Sequence, residues 1–118
     1  MELHTFLKEE INPSQILELP LGTCRLEIVE CTVKDGSMYE WRELGEAISI
    51  MPYLKTLIIT RCCKYISWLL LALVKSKSLQ HLEVETDDEV SFSSLSFNQL
   101  KMGSFPALEK IYLTGYSR

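Results

Sequence analysis

Leu54-Lys55-Thr56-Leu57-Ile58-Ile59-Thr60-Arg61-Cys62 places apolar residues at its first, fourth and sixth positions and a cysteine at its ninth. The stretch returns downstream as Leu79-Gln80-His81-Leu82-Glu83-Val84-Glu85-Thr86-Asp87, and again as Leu108-Glu109-Lys110-Ile111-Tyr112-Leu113-Thr114-Gly115-Tyr116. Upstream, Thr23-Cys24-Arg25-Leu26-Glu27-Ile28-Val29-Glu30-Cys31 is a weaker copy, with Thr in the first place. The central apolar residues Leu26, Leu57, Leu82 and Ile111 are spaced by 31, 25 and 29 residues. Repetition at a period of a few tens of residues is the mark of stacked supersecondary units.

Between these copies the period changes to that of helices. After the turn dipeptide Asp35-Gly36, Ser37-Met38-Tyr39-Glu40 reads as a capping box. Trp41, Leu44, Ile48 and Met51 then recur on one helical face, and Pro52 closes the segment. A second helix is expected from about Lys64 to Lys77, with Ile66, Leu69, Leu70, Leu73 and Val74 on one side. Trp68, Leu71 and Ala72 fill much of the remainder, so burial on several sides is expected. Lys75 and Lys77 fall in its last turn, where cations offset the helix dipole. A third helix fits Ser94 to Lys101, with Gly103 as its stop. At the start of the chain, Leu3, Phe6, Leu7 and Ile11 also stand at helical spacing until Pro13 interrupts. Residues 1–22 are therefore expected to be a helical cap or the remnant of a preceding repeat, and residues 23–118 the repeats proper.

Strands joined through helices run parallel. The motif resembles the leucine-rich repeat superfamily, in its ribonuclease-inhibitor-like, cysteine-containing branch, over about Thr23 to Tyr116. Cys31 and Cys62 match that branch's cysteine variant at the end of the motif, whereas Asp87 and Tyr116 depart from it. The resemblance implies an α/β fold: a short solenoid of about four parallel strands, with helices on the convex side. It also implies a partner bound on the concave sheet face. The rival architecture is a compact α/β sandwich, whose central strands are apolar on both faces. Glu27, Lys55, Thr56, His81, Glu83 and Lys110, standing between the repeated apolar positions, favour one wet face instead.

Three columns run down that face: Arg25, Thr56, His81 and Lys110; then Glu27, Ile58, Glu83 and Tyr112; then Val29, Thr60, Glu85 and Thr114. The expected protein-binding set is Arg25, Glu27, Thr56, Ile58, Thr60, His81, Glu83, Glu85, Lys110 and Tyr112, with Ile58 and Tyr112 as exposed apolar anchors. The acidic run Glu83, Glu85, Asp87, Asp88 and Glu89 suits a basic partner surface and equally an ordinary solvated strand end.

Composition narrows the classes. The 118 residues are 47% hydrophobic and 24% charged, the balance of one globular domain or of a piece of a longer array. A net charge of −4 with scattered basic residues argues against nucleic acid. The most apolar run, Ile66 to Val74 with one serine, falls well short of the roughly 20 residues a membrane span needs. Met1 to Lys8 is no secretory leader, Cys62 and Cys63 are adjacent, and Asn12-Pro13-Ser14 cannot be glycosylated, so a reducing, cytoplasmic setting is expected.

No enzyme is expected. Cys62 or Cys63 with His81 is the one thiol–base combination, and in the repeat the two side chains diverge. No zinc-ligand spacing and no glycine-rich phosphate loop occur, so neither metal nor cofactor is anticipated. The alternative function is a small α/β enzyme or regulatory domain with a pocket at the C-terminal strand ends, near Cys31, Cys62, Asp87 and Tyr116. The last strand has no helix after it, which suggests a fragment of a longer array, completion of the edge by a partner, or edge-to-edge homodimerisation.

Overall fold

A computed structural model of the chain describes residues 3–11, 13–33, 38–62, 66–86 and 106–115. The elements follow one another as β1 (Leu3–Ile11), α1 (Pro13–Leu17), β2 (Thr23–Val33), α2 (Met38–Ser49), β3 (Thr56–Cys62), α3 (Ile66–Leu73), β4 (His81–Thr86) and β5 (Lys110–Gly115). The strands form one sheet in the order β1-β2-β3-β4-β5, and each neighbouring pair is parallel. Spatial order thus equals chain order, as expected when each unit is laid down beside the last.

The repeated motif governs the register. Leu26, Leu57, Leu82 and Ile111 pair across four strands, and Ile28, Ile59, Val84 and Leu113 pair one step further on. Just ahead of the strands, the second motif position carries the ladder. Lys55 N–H donates to the Cys24 carbonyl (2.8 Å), Gln80 N–H to the Lys55 carbonyl (2.9 Å) and Glu109 N–H to the Gln80 carbonyl (2.8 Å). Equivalent residues therefore meet equivalent residues although the connecting segments differ in length.

Side chains alternate across a strand. Leu26, Ile28, Leu57, Ile59, Leu82 and Val84 are fully buried against Trp41, Leu44 and Ile48 of α2 and Leu69, Leu70 and Leu73 of α3. Each such side chain contributes about 1.5–3 kcal/mol by its burial. The leading residues Leu54 and Leu79 are fully buried too. Thr23, which takes that place in the weak first copy, is buried as well, and its hydroxyl is satisfied. It donates to the Pro20 carbonyl (2.8 Å) and lies 3.3 Å from the Thr5 hydroxyl. A polar residue holds this position because partners for its oxygen are built around it.

Helix α2 packs against α1 on one side and α3 on the other. Gly45 makes the second contact close: a Cβ there meets the Leu69 carbonyl oxygen and stands 3.0 Å from the Ala72 Cβ. A mid-helix glycine costs up to about 1 kcal/mol relative to alanine. Here the gain is a tight helix crossing. Below it the chain leaves α2 through Ser49, whose hydroxyl donates to the Glu46 carbonyl (2.7 Å), and Pro52 follows.

Several expectations are corrected. The described residues form five strands, not about four. The N-terminal stretch expected to be helical over Leu3 to Ile11 is β1. Its helical stripe fails as a core stripe: Ile11 is buried and Leu7 partly so, but Leu3 and Phe6 are exposed. Pairing with β2 satisfies the backbone that an isolated helix broken at Pro13 would have to satisfy alone. Helix α3 ends at Leu73, so Lys75 and Lys77 lie beyond it in the turn rather than in its last turn. There Ser76 N–H donates to the Leu73 carbonyl (2.9 Å), and the Ser76 hydroxyl accepts from Leu79 N–H (3.2 Å). Nor is α3 buried on several sides, because Trp68 and Leu71 are exposed. The helix expected over Ser94 to Lys101, the capping serine Ser37 and the terminal residue Tyr116 lie outside the described residues.

Candidate protein-binding face

The second face of the sheet is built from the residues between the buried ones. Arg25, Glu27, Val29, Thr56, Ile58, Thr60, His81, Glu83 and Glu85 are all partly exposed, and Lys110 and Tyr112 are exposed. No described helix covers them. The strand spacing of about 4.8 Å converts the register into rows across the sheet.

In the first row stand His4, Arg25, Thr56, His81 and Lys110. Phe6, Glu27, Ile58, Glu83 and Tyr112 make the second. The two rows are tied together along the strands. The Arg25 guanidinium holds the Glu27 carboxylate through Nη2 (2.8 Å) and Nε (3.0 Å). On β4, His81 Nε2 lies 2.8 Å from Glu83 Oε1. These are neighbours on one strand face, two residues apart, where side chains point the same way. The His81 ring also rests against Tyr112 of β5, with centroids 5.5 Å apart and planes inclined by 44°.

The rows reproduce the order of the first two expected columns and extend them to His4 and Phe6 on β1. Ile58 and Tyr112 are not adjacent: Glu83 on β4 stands between them, and Ile58 is only partly exposed. The strongest apolar features are at the ends of the row, where Phe6 is 58% and Tyr112 51% exposed. The third expected column does not form as one. Val29 pairs with Thr60 and Glu85 with Thr114, but the register slips between Ile59 and Cys62, so Thr60 has no partner position on β4. Arg61 occupies that slip with φ of 53°, the left-handed conformation of an extra residue in a bulged strand.

Sequence reasoning missed His4 and Phe6, which extend both rows onto β1. Their signal was present as alternation, with His4 and Phe6 on one face and Thr5 and Leu7 on the other. It was outweighed because Thr5 occupies the place that Leu26 and Leu57 fill in later strands, which hides β1 from a search for leucines.

No family model, curated protein or solved structure matches this chain. The chemistry therefore has to be read from the residues. Among the described residues, no group of three or more His, Cys, Asp or Glu is arranged to hold a metal. No described helix is long and apolar enough to cross a membrane. One hollow lies between the turn after α1 and the end of α2, at the end of the sheet where strands begin. Another lies on the outer helix surface between α2 and α3, beside Arg42, Trp68 and Lys75. Both are away from the C-terminal strand ends, where the alternative enzyme reading places its pocket. The side chains of Cys31 and Cys62, and all of Asp87 and Tyr116, fall outside what is described there.

Proposed function

We propose that the chain is a short leucine-rich-repeat solenoid of the ribonuclease-inhibitor-like kind, working in the cytoplasm as a protein-binding module and not as an enzyme. One observation carries the reading. Five parallel strands stand in chain order with their apolar positions in register, and no element among the described residues covers the face away from the helices. A doubly wound α/β domain needs apolar residues on both strand faces. Here Glu27 and Glu83 keep side-chain exposures of 35% and 42% on the second face.

The partner sits across the two rows. Phe6, Ile58 and Tyr112 supply apolar contact, and Arg25, Glu27, Thr56, His81, Glu83 and Lys110 supply the polar surround that sets its orientation. Thr60 and Glu85 lie beside the bulge at the margin. Aromatic anchors ringed by polar groups are how many protein interfaces concentrate their affinity. Arg25 and Glu27 form an ion pair, and His81 and Glu83 a hydrogen bond, so the polar groups at the centre of the open face have partners within it.

Paired substitution tests this. Ile58→Asp with Tyr112→Asp is expected to abolish capture of proteins that the wild-type chain retains, with circular dichroism unchanged. Arg42→Asp on the outer helix surface serves as the control and is expected to retain capture. Undiminished capture by the Ile58/Tyr112 variant removes the open face from consideration.

A further inference from the structure

Given the protein-binding reading of the open face, on which this rests, we infer that the partner presents an amphipathic α-helix with basic residues set between its apolar ones. The helix lies across the strands, along the row of Phe6, Glu27, Ile58, Glu83 and Tyr112. In that row every second strand offers an apolar side chain, and the strands between offer carboxylates. Neighbouring strands stand about 4.8 Å apart, so Phe6, Ile58 and Tyr112 follow one another at about 9.6 Å. A helix advances about 1.5 Å per residue, which puts every seventh residue about 10.5 Å further along the same side. Apolar residues at seven-residue intervals therefore fall on Phe6, Ile58 and Tyr112. Residues three or four places after the first and second of them fall on Glu27 and Glu83. An extended segment crossing the strands does not reproduce this spacing, because its side chains recur on one face at about 6.8 Å.

Charge decides what stands between the apolar residues. Glu27 is held by Arg25 and Glu83 lies against His81, in both cases through Oε1 and from the row nearer the strand starts. Among the described residues, neither Oε2 has a hydrogen-bond partner. Glu85 follows on β4, one row further toward the strand ends. The described charges of the face are thus sorted. Cations Arg25 and Lys110 stand in the first row, and carboxylates Glu27, Glu83 and Glu85 in the next two. Lys8, in register with Val29, belongs to the edge strand β1, so the acidic region is centred on β2 to β4. A lysine or arginine approaching from the strand ends meets carboxylate first, and its N–H groups donate to the open oxygens in charge-assisted hydrogen bonds. On the other flank of the helix, beside Arg25 and Lys110, acidic or neutral residues are favoured.

Synthetic peptides, titrated into the intact chain and followed by fluorescence anisotropy, test it. The probe carries leucine at three positions seven residues apart, arginine three residues after the first and second of them, and alanine or glutamine elsewhere. It is compared with a scrambled peptide of the same composition and with a version in which glutamate replaces both arginines. The probe is expected to bind about 10-fold or more tightly than either, and more weakly as salt rises. Proline at its centre breaks the helix and is expected to abolish binding. Glu27→Gln with Glu83→Gln is expected to weaken the probe about 10-fold, with circular dichroism unchanged. No binding of the probe, equal binding of the scrambled or proline peptide, preference for the glutamate version, or undiminished affinity of the Glu27→Gln/Glu83→Gln variant overturns the inference. Failure of the wider reading looks different: the Ile58→Asp/Tyr112→Asp variant then still captures the proteins that the wild-type chain retains. Loss of capture in that variant, with no preference for the arginine probe, leaves the face its function and removes the basic helix.

Discussion

The two faces of the sheet share the same strands, backbone and register, yet differ in every other respect. On the inner face, six consecutive aliphatic positions of β2, β3 and β4 are fully buried. On the outer face, the residues in between are an arginine, a valine, two threonines, an isoleucine, a histidine and three glutamates, all partly exposed. One face is constrained by volume and admits few alternatives. The other is constrained by little within the chain, so its composition is free to be set by what it touches. Stability belongs to the first, and the proposed function assigns recognition to the second.

That division breaks most readily at the helix crossing and the inner strand. Leu57→Ala removes a fully buried side chain from the middle of the sheet. Its expected cost is about 2–5 kcal/mol in denaturant unfolding. If the cost is no larger than that of Ile58→Ala, the face assignment is wrong. Gly45→Ala is next. Alanine gains about 1 kcal/mol in helix propensity. Its Cβ nevertheless collides with the Leu69 carbonyl oxygen. Net destabilisation of about 1–3 kcal/mol is expected. A stabilised variant would mean that α2 and α3 do not pack this closely.

Effects on the outer face should be much smaller. Ile58→Ala is expected to change stability by roughly 1 kcal/mol or less, as for a partly exposed site with room to relax. For the Arg25–Glu27 pair, both side chains are more than a third exposed. A double-mutant cycle with Arg25→Ala and Glu27→Ala is expected to give a coupling of about 0.2–1 kcal/mol, shrinking in high salt. A large, salt-insensitive coupling would make this face part of the scaffold.

Much of the inner face was legible beforehand, because burial repeats. A leucine needed by one strand is needed by the next, and Leu26, Leu57 and Leu82 identify one another, whereas Ile111 in the same register position on β5 is 37% exposed. The helix stripe of Trp41, Leu44 and Ile48 was legible for the same reason. Where polar residues take core positions, legibility fails. Thr5 and Thr23 hold places that elsewhere are leucine. Their suitability depends on the 3.3 Å approach of two hydroxyls from different strands. On the outer face the columns could be drawn, but their breaks could not. The slip at Arg61 is a consequence of pairing.

The sequence by itself determined the unit: a strand with one apolar flank, a helix to cover it, and their repetition, since period and polarity are local properties of the chain. Only the tertiary structure decided how the units meet. Whether Leu3 to Ile11 is helix or strand depends on β2 being there to accept its hydrogen bonds. The tight approach at Gly45 depends on α3 lying beside it. The hollow lined by Leu21 and Ile50 exists because two turns, 29 residues apart in sequence by those positions, come to lie side by side. Contacts between distant segments are set by the geometry of stacking, which no short window of residues contains.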